Sequence, residues 1–115
     1  MNVFISYTLR DEIVTTEYLK EVSKVVEEFG NPFVDIIDNK ADDKQRFVIE
    51  QLDKSDLVIL ITTKSILMSQ WVITEINRAK KNNTPIIRIP LNINQETSLE
   101  HLKASLPVEV QKLIG

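Results

Sequence analysis

Ser69-Gln70-Trp71-Val72-Ile73-Thr74-Glu75 holds the residues best suited to chemistry. Ser69 can cap a helix, and Trp71 and Glu75, four apart, then share one face of it. A carboxylate beside a large aromatic can bind and polarise a ligand. Trp71 can equally serve as a core anchor, and Glu75 can simply pair with Arg78, three residues on. A second group, Ser6, Tyr7 and Arg10, leaves an apolar segment near the amino terminus. Arg10 could meet a phosphate bidentately without a glycine loop, or pair with Asp11 or Glu12. Asp38, Asp42 and Asp43 are three acids in a polar loop, a pattern that solvation explains without a metal. No metal site is expected.

The elements that must position these groups follow from periodicity. Val3-Phe4-Ile5 reads as a first strand, with Ser6 and Tyr7 at its exit. Val14, Tyr18, Val22, Val25, Val26 and Phe29 recur at spacings of three and four, which predicts a helix over 12–29 that stops at Gly30. Pro32 to Ile37 reads as the second strand, and 38–43 as a solvated loop without an apolar anchor, expected to be mobile. Lys44 to Lys54 reads as a helix with Val48, Ile49 and Leu52 inward. The unbroken apolar run Leu57-Val58-Ile59-Leu60-Ile61 suits a strand buried on both faces. The Trp71/Glu75 helix follows, to about Lys81, with Val72, Ile76 and Ala79 as its sheet-facing stripe. Asn82 to Pro85 breaks it, and Ile86 to Ile89 is a fourth strand limited by Pro90. The tail reads as two helices, 98–106 and 107–114, divided at Pro107, with His101 on the surface; no fifth strand is evident.

Alternating strands and helices with short links predict a flavodoxin-like three-layer α/β fold: a parallel sheet in order 2-1-3-4, possibly with a fifth strand, and helices on both faces. In that order the switch point lies between the first and third strands, and their carboxyl ends are where ligands bind. Ser6 to Arg10 and the Trp71/Glu75 helix both start there.

Composition narrows the chemistry. The 115 residues are expected to form one domain, 1–115. With no cysteine, thiolate nucleophiles and zinc-thiolate sites are excluded; one histidine excludes two-histidine metal sites. A net charge of −3 without a basic block gives nucleic-acid binding no support. No apolar stretch approaches the roughly 20 residues that cross a bilayer, and Met1 to Ile5 lacks the charged and long apolar parts of a signal peptide. Two glycines, Gly30 and Gly115, cannot build a P-loop or a dinucleotide fingerprint.

Val3-Phe4-Ile5-Ser6-Tyr7 with Asp11 resembles the first motif box of Toll/interleukin receptor (TIR) domains. Phe33-Val34-Asp35 resembles that family's second strand and the start of its BB loop. Ser55-Asp56 before the apolar strand, then Ser69-Gln70-Trp71 and Glu75, resembles its strand C and S-x-W-x-x-x-E helix. Leu106-Pro107 resembles its carboxyl end. Asn39 to Asp42 stands where many members have glycine or proline, and Val72 where many have cysteine. The resemblance implies two kinds of function. One is cleavage of NAD⁺ at the nicotinamide–ribose bond, giving ADP-ribose or a cyclic isomer, in innate-immune or antiphage-type signalling. The other is a non-enzymatic scaffold acting through contacts between TIR domains. A nucleoside deoxyribosyltransferase-like enzyme is a further alternative, since that family shares a related fold and a carboxylate nucleophile.

For the NADase, the resemblance implies Glu75 as the catalytic residue; Trp71 beside it, and Ser6, Tyr7 and Arg10 at the carboxyl end of the first strand, are the residues expected around the substrate. NAD⁺ would be substrate, with no cofactor. Other TIR domains would be partners in a homo-oligomer whose activity rises with concentration, and the location would be cytoplasmic. One carboxylate would suffice, because nicotinamide leaves NAD⁺ as a neutral molecule and needs no proton.

Overall fold

A computed structural model describes residues 1–91 and 94–114. The chain runs β1 (Asn2–Ser6), α1 (Thr16–Glu27), β2 (Asn31–Phe33), α2 (Asp35–Asp38), α3 (Lys44–Asp53), β3 (Leu57–Thr62), a 3-10 turn (Ile66–Met68), α4 (Gln70–Lys81), β4 (Ile86–Pro90) and α5 (Gln95–Ile114). The four strands form one sheet, all parallel, in the order β2-β1-β3-β4. This is the flavodoxin-like arrangement expected.

The two-residue period of the strands sorts their side chains between two cores. Val3, Ile5, Leu57, Ile59 and Ile61 pack with α1 and α5 on one face. Phe4 and Val58 pack with α3 and α4 on the other, together with Phe33, Val48, Leu52 and Ala79. Leu60 continues that face beneath Ile66, Val72 and Ile76. β3 is covered on both faces, which is why its sequence has no polar alternation. The same period directs Ser6, two residues beyond Phe4, toward the α4 side of the sheet.

The structure departs from the sequence-based expectations in several places. First, the second strand ends at Phe33 rather than Ile37. Val34 donates its N–H to Asp38 Oδ2 at 2.7 Å and its carbonyl accepts from Asp38 N, so 35–38 curl into the single turn α2. Local Asp and Asn side chains competing for backbone groups outweigh the β-preference of Ile36 and Ile37. Second, the polar loop has an anchor after all. Asn39 is buried; its Nδ2 donates to Asp35 Oδ1 and to the Lys44 carbonyl, and its Oδ1 accepts from Ala41 N. The loop has no apolar anchor, and these bonds give it a polar one. Third, the tail is one helix with Pro107 inside it. Pro107 lies on the exposed side, where water can serve the carbonyl it leaves unbonded, while Leu102 and Leu106 hold the buried side. α1 is also shorter than expected, because Thr15 accepts the Tyr18 N–H and caps it three residues into the amphipathic run. Ile49, expected inward, is half-buried.

Gly30 ends the α1 connection by donating its N–H to the Val26 carbonyl. A β-carbon there would collide with the backbone carbonyl of Met1, which accepts the Asn31 N–H where β2 joins β1. Gly30→Ala should therefore destabilise the fold by about 1–3 kcal/mol, the usual effect of overpacking. Urea unfolding of both proteins measures it; equal midpoints would show that the strand junction yields freely.

Candidate functional site

Two short strand exits and one helix build the site. The α4 helix starts at the 3-10 turn and is capped by Ser69, whose Oγ accepts the Val72 N–H at 3.3 Å. Val72, Ile76 and Ala79 hold it on the sheet. Nearly two turns in from the cap, Glu75 is carried down toward the sheet and is only 5% exposed. Ser6, 1% exposed at the end of β1, donates its hydroxyl to Glu75 Oε1 at 2.8 Å. Burial pushes the Glu75 carboxyl up to about 7; the Ser6 hydrogen bond opposes that rise, and the nearby charge of Asp35 adds to it.

The next residue, Tyr7, braces the other wall. Its hydroxyl accepts the Ile36 N–H at 3.0 Å and so ties α2 to the end of β1. Burial first, with the acids Asp35, Glu75 and Asp38 nearby, pushes the Tyr7 phenol up to about 12 despite that bond. Tyr7 is neutral at physiological pH. Between the two walls lies a cleft of about 390 Å³ lined by Tyr7, Asp35, Ile36, Lys44, Trp71 and Glu75, among others. Trp71, 37% exposed, is a wall of this cleft rather than a core anchor. The cleft lies at the carboxyl end of the sheet, where the exits of β1 and β2 face the start of α4.

Glu75 does not pair with Arg78. The Arg78 guanidinium grips Asp53 with two bonds, Nε to Oδ1 at 2.8 Å and Nη2 to Oδ2 at 2.7 Å, and Asn82 donates to the same carboxylate. Those bonds hold the Asp53 carboxyl down to about 2 and clamp α3 to α4. The structural reading of Glu75 as half of a helix-surface ion pair is thereby overturned, and its side chain has no cation partner among the described residues.

Of the sequence-derived site residues, Glu75, Trp71 and Tyr7 share the cleft, and Ser6 reaches it through Glu75. Arg10 does not. It lines a separate cleft of about 790 Å³ with Asp11, Thr63, Lys64 and Leu91. It forms no ion pair with Asp11 or Glu12 among the described residues. Asp11 is engaged instead by Ser65, whose N–H and hydroxyl donate to it at 2.9 and 3.0 Å. Asp38 and Asp43 serve the backbone, at Val34 N and as the α3 cap. No group of three or more metal-ligating side chains comes together among the described residues. Sequence reasoning misses Asp35 and Lys44 as cleft residues. The run Asp35-Ile36-Ile37-Asp38-Asn39 carries a signal for them, since Asp and Asn at that spacing favour a closed turn over a strand.

A four-stranded parallel α/β domain with a buried carboxylate over the carboxyl end of β1 belongs to the flavodoxin-like class. Within that class, the TIR domain family model matches residues 3–112, and the chain belongs to the TIR domain family. No curated protein matches the chain. Among the described residues no helix is long and apolar enough to cross a membrane.

Proposed function

We propose that this TIR domain is an NAD⁺ nucleosidase with Glu75 as its catalytic carboxylate. The observation that carries the reading is the placement of Glu75: buried, without an ion-pair partner among the described residues, held by Ser6 at 2.8 Å, and open to a cleft walled by Trp71. A carboxylate so placed suits a developing cation and has no salt bridge to break first. In the reaction the bond between nicotinamide nitrogen and ribose C1′ breaks. Its electron pair stays on the nitrogen, so nicotinamide leaves neutral and the positive charge passes to the ribose. Glu75 stabilises that oxocarbenium-like ribose and can accept its hydroxyl protons in hydrogen bonds. Water then bonds to C1′ and loses a proton, giving ADP-ribose; a ring nitrogen of the adenine in its place gives a cyclic isomer. Trp71 shields the cleft from water that would screen the charge.

The ionised form does this work, and the carboxyl sits at about 7. In the free enzyme kcat/KM should therefore rise with pH through about 7 and fall roughly tenfold per unit on the acid side. Nicotinamide release from NAD⁺ between pH 5.5 and 9 measures this, at several protein concentrations. Activity per molecule should grow with concentration if, as in TIR domains generally, domains interact with one another. A flat pH profile across this range would remove Glu75 from the rate-limiting chemistry.

A second reading, a scaffold acting by homotypic contact, draws on the surface next to the cleft. Leu67 and Met68, 67% and 64% exposed, project from the turn before α4. Leu9 and Ile36, also exposed, line or flank the same cleft. An apolar rim of this kind suits a protein contact. Self-association without NAD⁺ turnover at any concentration would favour the scaffold.

A further inference from the structure

We propose that Lys44 is the residue that selects a phosphate-bearing substrate, by meeting the diphosphate of the dinucleotide; this rests on the NAD⁺ reading above. A dinucleotide brings two unlike ends to the cleft. The scissile end carries a cationic nicotinamide, and Glu75 and Asp35 suit it. The diphosphate carries negative charge, and with two carboxylates already lining the cleft it requires a cation. Arg10 is the cation that position in sequence favours, but Arg10 and Lys64 both line the other cleft. Lys44 is the one cationic side chain lining the Glu75 cleft among the described residues.

Its setting suits the role. Lys44 is the first residue of α3, and the buried Asn39 side chain bonds its carbonyl at 3.1 Å. The same Asn39 amide bonds Asp35 across the loop at 2.6 Å. The Lys44 backbone is thus fixed relative to the wall of the cleft, while its side chain is exposed and enters no ion pair among the described residues. A free ammonium on an anchored backbone can follow a diphosphate without first leaving a partner, and a lysine acts on phosphate as a point charge.

Nicotinamide riboside separates this from a merely structural role, because it contains the same scissile bond and no phosphate. Lys44→Ala should raise KM for NAD⁺ about tenfold or more, as expected for losing a hydrogen bond to a charged group, and leave kcat nearly unchanged. Lys44→Glu should raise it further, Lys44→Arg should restore it, and cleavage of nicotinamide riboside should be the same in wild type, Lys44→Ala and Lys44→Arg. An unchanged KM for NAD⁺ in Lys44→Ala overturns the proposal, and so does an equal loss on both substrates. A rise in Arg10→Ala with none in Lys44→Ala does the same. If the wild type cleaves neither substrate, the NADase reading fails, and calorimetric binding of ADP-ribose decides for Lys44. Binding weakened by Lys44→Ala supports the assignment; binding indifferent to Lys44, or absent, overturns it.

Discussion

Glu75→Gln should cleave NAD⁺ about 10²–10³-fold more slowly than the wild type, the usual loss when one preorganised electrostatic group is removed. The amide has the shape of the acid and can still bond Ser6, so the cleft should persist. Only the negative charge facing the ribosyl cation is removed. Glu50→Gln is the comparison. Glu50 sits on the exposed side of α3, paired with Arg46 at 3.2 Å, away from the cleft. An exposed i,i+4 pair contributes only about 0.3–0.5 kcal/mol, so that variant should turn over NAD⁺ like the wild type. Nicotinamide release for all three proteins, at equal concentration and pH 8, gives the answer. Equal rates for Glu75→Gln and wild type would end the catalytic assignment.

The same substitution should stabilise the protein at alkaline pH. The folded protein prefers Glu75 protonated, since its carboxyl is pushed from the ordinary 4.5 up to about 7, first of all by burial. A raised carboxyl contributes stability that is fully present below about 4.5 and is lost as pH rises through about 7. A tenfold change in proton affinity corresponds to about 1.4 kcal/mol, so holding the buried charge at pH 8.5 costs on the order of 3 kcal/mol. Gln carries no charge and avoids this cost. Glu75→Gln should therefore unfold at higher urea than the wild type at pH 8.5, and the gap should close near pH 4.5. A variant less stable than wild type at pH 8.5 would show that the Ser6 bond and the polar cleft fully compensate the charge. Together the two outcomes describe a group retained against the stability of the fold, as expected where function requires it.

The site is divided between what nearby residues dictate and what folding brings together. Ser69 as a cap, with Trp71 and Glu75 one turn apart, is legible because helix geometry relates residues three and four apart. The exit of β1 at Ser6 and Tyr7 is legible because the apolar run ends there. Asp35 to Ile37 reads as strand because two isoleucines outweigh the acid beside them; a single turn held by Asp38 and Asn39 depends on side-chain bonds that a periodicity does not register. Pro107 reads as a break because its cost depends on which side of the helix faces water. That orientation belongs to α5 as packed on α1 and the sheet.

The sequence by itself determined the sheet order, the central place of β3 and the position of the switch point. Period-two and period-3.6 patterning, short links and right-handed crossovers leave few other arrangements. Family membership is legible too, since its motifs lie along the chain in order. Only the tertiary structure decided which groups meet. Ser6 and Glu75 lie 69 residues apart, and Arg78 takes Asp53 from 25 residues away in place of its helix neighbour Glu75. Arg10, expected beside the Glu75 cleft, lines a separate one, and Lys44, which the sequence does not single out, lines the Glu75 cleft, for the same reason. The physical cause is that burial and ion pairing are relations between segments. A carboxylate's partner, its exposure and its proton affinity depend on what folding packs against it, and local spacing carries no record of that.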